Sequence, residues 1–267
     1  MKTLKTYNYP SKIICLTEES VETLFLLGEE HRIAGVSAFV KRPSQAQQLP
    51  KVSFFTSSNY PKILAHKPDL ILGHSDIQKD IARDLIELGQ NVFIANHRSI
   101  EEIFNYIHML GRLTGADEAS SLLLERLEAK VSEAREFAKT LPRRPKVYFE
   151  EWDDPLISAI KWVSELIELC GGENVFLEKS QGVLAKDRFV SHQEIIEAKP
   201  DIIFGCWCGK KVKLDSIKKR EGYEEIPAIK TGKVYEVAPE IFLQPGPAPI
   251  LDGIDILMKY FSEVSYE

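Results

Sequence analysis

The chain has 267 residues, 44% of them hydrophobic and 28% charged, a composition typical of a globular protein with one large core or two smaller ones. Its formal net charge is -6 with both signs interspersed, so it lacks the basic surface that a nucleic-acid partner would require. No stretch approaches the roughly 20 apolar residues of a membrane span, so none is predicted.

The start of the chain and its cysteines bear on location. Residues 1–11 contain no apolar core of the kind that a secretory signal needs. The four cysteines, at positions 15, 170, 206 and 208, show no paired spacing, which favours a reducing compartment. We therefore predict a cytoplasmic protein, with a periplasmic or lipid-anchored location as the alternative if a signal has been removed from the sequence.

The first predicted elements are buried strands. Residues 13–16 form a short apolar run that predicts a strand entering a helix, and residues 33–37 predict another strand. Residues 63–73 (ILAHKPDLILG) and 195–205 (IIEAKPDIIFG) then share one pattern: a helix end, a Lys-Pro-Asp turn and an apolar strand closed by glycine. An unbroken apolar run indicates a strand covered on both faces. The chain is thus predicted to contain two α/β halves.

Two helices are predicted between the halves. Ser99 and Glu102 form a capping box that opens a helix running towards Gly115. Residues 116–140 contain no Gly or Pro and place leucines amid charged side chains, which predicts a long amphipathic helix. The proline-rich segment 141–145 ends it.

These elements together predict the fold class and the domain boundaries. We expect an α/β protein with two Rossmann-like lobes, each with a central and mostly parallel sheet, joined by a long backbone helix. The predicted boundaries are residues 1–112 for the N-terminal lobe, 113–142 for the linking helix and 143–267 for the C-terminal lobe. A largely preformed ligand cleft is expected between the lobes.

Aromatic residues recur where the predicted strands of both halves end, and ligands of open α/β sheets bind beyond the carboxyl ends of the strands. Such side chains suit a flat apolar ligand that a few polar groups orient. Trp152, among four carboxylates, and Trp207, just past a strand end, are predicted to be accessible, whereas Trp162 fits a core position equally well. The candidates chosen by position are Phe39, Phe55, His74, Trp152, Trp162, Trp207, Glu240 and Phe242.

Three candidate residues, one histidine and two cysteines, are of types that can bind metal ions. His74 at a strand end suits either a hydrogen-bonded structural histidine or an axial ligand of a cobalt or iron centre. Cys206 and Cys208 have the residue type for a soft metal, but no further ligand follows at a readable spacing, so two free thiols are predicted.

Charged clusters in the second half are predicted to orient a ligand or to be solvated. The carboxylates at 150, 151, 153 and 154 lack an accompanying nucleophile, and no phosphate loop or hydrolase motif is present, so we predict a binding protein and not an enzyme. The basic segment 210–220 is interrupted by acid and is predicted to be a solvated face.

Several segments resemble the helical-backbone (class III) solute-binding proteins of the periplasmic binding protein superfamily, and within them the cobalamin-binding branch, here without an export signal. The segments are the strand start, residues 39–43, Lys-Pro-Asp-Leu-Ile at 67–71, the long helix, Glu151-Trp152-Xaa-Asp154-Pro155, LCGGENVF at 169–176, Val190-Ser191, Cys208-Gly209 and Pro245-Gly246-Pro247. The resemblance implies a corrin held between aromatic loop residues, which at the matching positions are Phe39, Phe55, His74 and Ile157. Glu240 matches an acidic loop residue of that family.

The same resemblance bears on partners. Exported members dock on their membrane transporter through one glutamate in each lobe, and the matching positions here are Pro61 and Gln193. We therefore predict that conventional transporter docking is doubtful and that the protein is an intracellular carrier, buffer or sensor of cobalamin or a related corrinoid. The alternatives are a haem or ferric-siderophore binder and a tetrapyrrole-processing enzyme such as a chelatase.

Overall fold

The computed structural model describes residues 9–265, so most of the segment 1–11 used above to predict location lies outside it. The chain divides into two compact units. Unit 1 comprises Met1–His97 with Glu101–Arg126, and unit 2 comprises Arg98–Ile100 with Leu127–Glu267. Each unit carries its own five-stranded sheet of mostly parallel strands, which confirms the predicted α/β class.

Unit 1 is built around a wholly parallel sheet with the strand order β3-β2-β1-β4-β5. Its strands are β1 (Ile13–Cys15), β2 (Ile33–Ser37), β3 (Lys51–Ser53), β4 (Leu70–His74) and β5 (Val92–Ala95). Its helices are α1 (Glu18–Leu26), α2 (Tyr60–Ala65), α3 (Lys79–Glu87) and α4 (Ile100–Thr114), and α4 starts where the capping box predicted it.

The central strand of unit 1 explains why this sheet is covered on both faces. Ile13 and Cys15 pack in one apolar cluster with residues of α1 and α4, whereas Ile14 belongs to a second cluster with residues of α2 and α3. Alternate residues of a strand point to opposite faces. The unbroken apolar run therefore serves two cores at once.

The long helix α5 (Asp117–Thr140) follows α4, and the division between the units falls within it. The start of α5 packs closely against α4. Gly111 allows this approach, since a Cβ added there would overlap the Ser120 side chain. Any larger residue at position 111 would push the two helices apart.

Unit 2 has the strand order β10-β9-β6-β7, with β8 also paired to β6. The strands are β6 (Lys146–Asp153), β7 (Leu156–Ser158), β8 (Glu173–Asn174), β9 (Ile202–Gly205) and β10 (Val234–Glu236). The helices are α6 (Lys161–Leu169), α7 (His192–Ala198), α8 (Leu214–Lys218), α9 (Pro227–Lys230), α10 (Pro239–Phe242) and α11 (Ile254–Ser265). Only the pairing of β6 with β7 is antiparallel among the described strands of this sheet.

The repeated Lys-Pro-Asp pattern has the same conformation in both units. Lys67 and Lys199 each follow a helix and have a positive φ, of 52° and 49°. The backbone N–H of Asp69 donates to the Lys12 carbonyl and that of Asp201 to the Lys146 carbonyl, at the start of the neighbouring central strand. In return, each aspartate carboxylate accepts the backbone N–H of the same lysine. The repeat thus fixes the register of β4 on β1 and of β9 on β6.

Candidate functional site

The carboxyl ends of β2 and β3 in unit 1 carry an exposed aromatic pair. Phe39 and Phe54 are 51% and 55% exposed, and their ring centroids lie 5.8 Å apart in an edge-to-face arrangement. Phe55, which the sequence favoured over its neighbour, is half-buried. A pair of exposed aromatic side chains at the ligand-binding edge of a sheet marks an interaction surface.

His74 ends β4 and is 6% exposed. Its ring packs edge-on against His97, at 4.7 Å between centroids, and His97 in turn stacks on Tyr106 at 4.4 Å. His97 follows β5, the neighbouring strand, so the two histidines lie at the same edge of the sheet. The sequence pointed to His74 alone, because nothing in the spacing of residues 74 and 97 links them. Metal ligation by His74 remains a prediction.

A buried acid lies near this aromatic stack, in the first turn of α1. Glu19 is 1% exposed, accepts a hydrogen bond from the Thr17 hydroxyl, and interacts electrostatically with Tyr106. Burial raises the pKa of Glu19 to about 7, against an ordinary value of 4.5. Glutamates in a first helical turn are usually solvated, so this burial was not predictable from the sequence pattern.

In unit 2, the structure corrects three expectations about charged and aromatic residues. Glu150 is fully buried and binds Arg220 through both guanidinium nitrogens, with an Nη2–Oε1 distance of 2.9 Å. Trp207 is 1% exposed, and its indole N–H donates to Glu150 at 3.2 Å. Glu150 therefore anchors the core, Trp207 is a core residue, and Arg220 does not belong to a solvated face, because a buried carboxylate requires charged and hydrogen-bonding partners.

Trp162 and Phe242 are also core residues of unit 2. Their exposures are 3% and 0%, and the Trp162 indole donates to the Phe242 carbonyl at 2.8 Å. The Phe242 ring lies 5.8 Å from that of Phe149 in the central strand. Both were candidates for ligand contact, but α6 and α10 pack them inwards.

Trp152, at the carboxyl end of β6, is half-buried and held on several sides. Its indole N–H donates to the Asp154 carbonyl at 2.9 Å, and the Lys210 ammonium lies 4.0 Å from the ring centroid. Lys210 also pairs with Asp153 and lies 4.9 Å from the Trp207 ring. Cation–π contacts and an ion pair therefore fix the Trp152 ring at this edge.

Two further predicted residues lie in short elements of the same unit. Ile157 in β7 is half-buried and forms a β-bridge with Phe189, which is 40% exposed. Glu240 is half-buried in α10, which follows β10. Arg188, which precedes Phe189, is 2% exposed and binds Glu151 through both terminal guanidinium nitrogens, so this buried cation is neutralised within the unit.

Residues 9–265 contain no group of three or more His, Cys, Asp or Glu side chains placed to hold a metal ion. The four cysteines, all within these residues, form no disulfide. Cys206 is buried and Cys208 exposed, and burial raises the pKa of the Cys206 thiol well above its usual range. No helix in this part of the chain has the length and apolar content needed to traverse a bilayer.

Comparisons with known proteins cover nearly the whole chain. A family model described as "Periplasmic binding protein" matches residues 13–241. An uncharacterised ABC transporter substrate-binding lipoprotein, YvrC of Bacillus subtilis, is 26% identical over 94% of this chain and 79% of its own length. A vitamin B12-binding protein of Vibrio vulnificus is 24% identical over 95% and 90%. The periplasmic heme-binding protein RhuT from Roseiflexus superimposes with a TM-score of 0.82 at 20% identity, covering 95% of this chain and 99% of that one.

Proposed function

The chain belongs to the periplasmic binding protein family, and we propose that it binds cobalamin or a related corrinoid without transforming it. Membership of a family of binding proteins confirms the prediction of a non-enzymatic role and removes the chelatase alternative. A ligand of the metal-complex class is supported by the vitamin B12-binding relatives, which match almost the full length of this chain.

The observation that carries the proposal is the exposed pair formed by Phe39 and Phe54 at the carboxyl ends of β2 and β3. A planar, largely apolar macrocycle offers a face on which aromatic rings pack. In unit 2, the fixed Trp152 ring and the half-buried Ile157 are the apolar residues at the corresponding sheet edge that we assign to the ligand.

The charges at the edge of the unit 2 sheet favour a ligand whose polar groups are neutral. Arg188 pairs with Glu151, and Lys210 pairs with Asp153. These cations are already neutralised, so they offer little to the carboxylates of haem or of an anionic siderophore. The amide groups around a corrin ring require no such cation.

One observation favours haem as a second candidate. His74 and His97 lie together at the carboxyl edge of the unit 1 sheet, and imidazole is a common axial ligand of haem iron. In that case His74 would move from its buried position to reach the iron.

The relatives' names favour the alternative location over the cytoplasmic one. The relatives include a lipoprotein of an ABC transporter and a periplasmic protein, and none of their names supports an intracellular role. We therefore propose that the chain delivers its ligand to an ABC transporter outside the cytoplasm. The doubt about docking that Pro61 and Gln193 raised is not supported by these comparisons.

A Phe39→Ala variant is expected to bind cyanocobalamin about tenfold more weakly than the unmodified protein, because one exposed aromatic contact is lost. Its thermal stability should be unchanged, since the ring is half exposed. Ile86→Ala is the matched control, because Ile86 is a large apolar residue, 60% exposed, on α3. Equal affinities of the two variants in a fluorescence titration would contradict the assignment of Phe39.

A further inference from the structure

A cavity of about 500 Å³ lies in unit 1 beside β3, an edge strand of the sheet. The residues that line it include Lys51, Ser53, Phe54, Ser58 and Lys62. The cavity lining includes Phe54 of the exposed aromatic pair, but it contains none of Phe39, Trp152 and Ile157, and its hydroxyl and amine groups belong to residues that we do not assign to the corrinoid. It is therefore a candidate for a separate ligand.

Two serine residues that line this cavity have buried hydroxyl groups without a hydrogen-bond partner among the described residues. Neither Ser53 Oγ nor Ser58 Oγ has a hydrogen-bond partner among the described residues, and Ser53 as a whole is only 3% exposed. The two serines face each other in an isolated antiparallel bridge. Residues directly opposite in such a bridge point to the same face, with Cβ atoms about 4.5–5.5 Å apart. Buried polar groups in native proteins normally have a hydrogen-bond partner, so we expect a bound ligand to supply the partner of these two hydroxyls.

The charged side chains of the cavity favour an anionic ligand. Its two described charged residues, Lys51 and Lys62, are both cationic, and each amine donates to one backbone carbonyl while retaining further N–H donors. Of the other polar side chains, Tyr60 donates to Asp84 at 2.8 Å and Asn59 caps α2, whereas Ser57 is exposed. Burial also lowers the pKa of Lys51, and a neighbouring anion would favour its charged form.

We propose that this cavity binds a small organic molecule through a carboxylate or phosphate group. The two serine hydroxyls and the amines of Lys51 and Lys62 donate to the oxyanion, while the apolar part of the molecule packs on Pro61. The site adjoins the proposed corrinoid site at Phe54 but uses none of the residues assigned to the corrinoid.

Calorimetric titration of the full chain with benzoate, phenyl phosphate, inorganic phosphate and benzamide tests the site. We expect saturable binding of benzoate or phenyl phosphate, and the tighter of the two identifies the oxyanion that fits. The neutral benzamide should bind about tenfold more weakly, because it lacks the charge-assisted hydrogen bonds. No saturable binding of either organic anion below about 10 mM would overturn the proposal, as would equal binding of benzamide. Inorganic phosphate binding as tightly as phenyl phosphate would also overturn it, because the apolar part would then contribute nothing.

Variants assign the binding to these residues. The double variant Ser53→Ala/Ser58→Ala and the single variant Lys62→Met should each lose about tenfold in affinity for the organic anion. Ser44→Ala and Lys79→Met, at exposed positions of the same unit, are the matched controls and should bind normally. Because the serine hydroxyls have no described partner, the double variant should melt no lower than the unmodified protein. Unchanged anion binding by this variant would overturn the proposal.

A competition experiment with cyanocobalamin distinguishes the proposed anion site from the proposed corrinoid site. The double serine variant should bind the corrinoid as the unmodified protein does, and excess cyanocobalamin should not displace the bound anion. Displacement would show that the two sites are one and would overturn the inference of a second site, whatever the outcome for corrinoid binding itself.

Discussion

Replacing Arg220 by methionine is expected to lower the free energy of unfolding by about 3–5 kcal/mol, because it leaves the Glu150 carboxylate buried without its cation. Glu150 is fully inaccessible, and the Arg220 side chain is 12% exposed, so water cannot take over the missing interactions. Urea unfolding followed by far-UV circular dichroism measures the loss. Lys211→Met, at an exposed position of the same basic segment, is the control and should stay within about 0.5 kcal/mol of the unmodified protein.

A second substitution tests the cause of this loss. Adding Glu150→Gln to Arg220→Met should restore most of the stability, because the amide is neutral and its oxygen still accepts from the Trp207 indole. If the double variant proves as unstable as Arg220→Met alone, the unpaired buried charge is not the reason for the destabilisation.

Glu19→Gln is expected to stabilise unit 1 in a pH-dependent way. The pKa of Glu19 is about 7 in the folded protein, and we take its ordinary value of 4.5 for the unfolded chain. Below about pH 4.5 both states hold the proton. Between these values only the unfolded chain ionises, so the unmodified protein loses stability as the pH rises towards 7. The variant escapes this loss, which amounts to about 3 kcal/mol by pH 8.

The measurement for Glu19 is a series of urea unfolding curves from pH 4.5 to pH 8. Two groups that interact electrostatically with Glu19 do not titrate in this range, because burial raises the pKa of Cys15 to about 12 and that of Tyr106 well above its usual value. Glu87→Gln, on the exposed surface of α3, is the matched control and should show no such trend. A constant difference between Glu19→Gln and the unmodified protein across the series would contradict the raised pKa.

The architecture was predictable because its signals are local and occur twice. The Lys-Pro-Asp segments at 67–69 and 199–201 each combine a left-handed lysine, a proline that ends a helix and an aspartate that binds the next strand. The lysine and proline features depend on residues that are neighbours in the sequence, so pattern and structure agree there, whereas the two aspartates contact lysines 57 and 55 residues earlier. The start of α4 after Ser99 was predictable for the same reason.

The site was predictable only in part, because burial depends on residues that are distant in the sequence. Trp207 lies just past a strand end, as a ligand-binding residue would, yet its indole binds Glu150, 57 residues earlier, and Arg220 completes the same network. Likewise, the pairing of His74 with His97 arises from the adjacency of β4 and β5. The strand ends indicated where the loops lie, but not which of their side chains are accessible to a ligand.

Phe54 shows that the sequence pattern could not predict which residue of a doublet is exposed. The doublet at positions 54 and 55 clearly indicated an aromatic loop, but the choice between its members depended on the backbone turn after β3. That turn exposes Phe54 next to Phe39 and half-buries Phe55. The residue that the sequence passed over is the one whose ring meets Phe39.

We propose that the protein binds a corrinoid in preference to haem. Titration of the purified protein with cyanocobalamin, hydroxocobalamin and haemin, followed by ligand absorbance and tryptophan fluorescence, tests this preference directly. We expect saturable binding of a corrinoid, accompanied by quenching of the tryptophans, with haemin binding at least about tenfold more weakly. Saturable binding of haemin alone would contradict it.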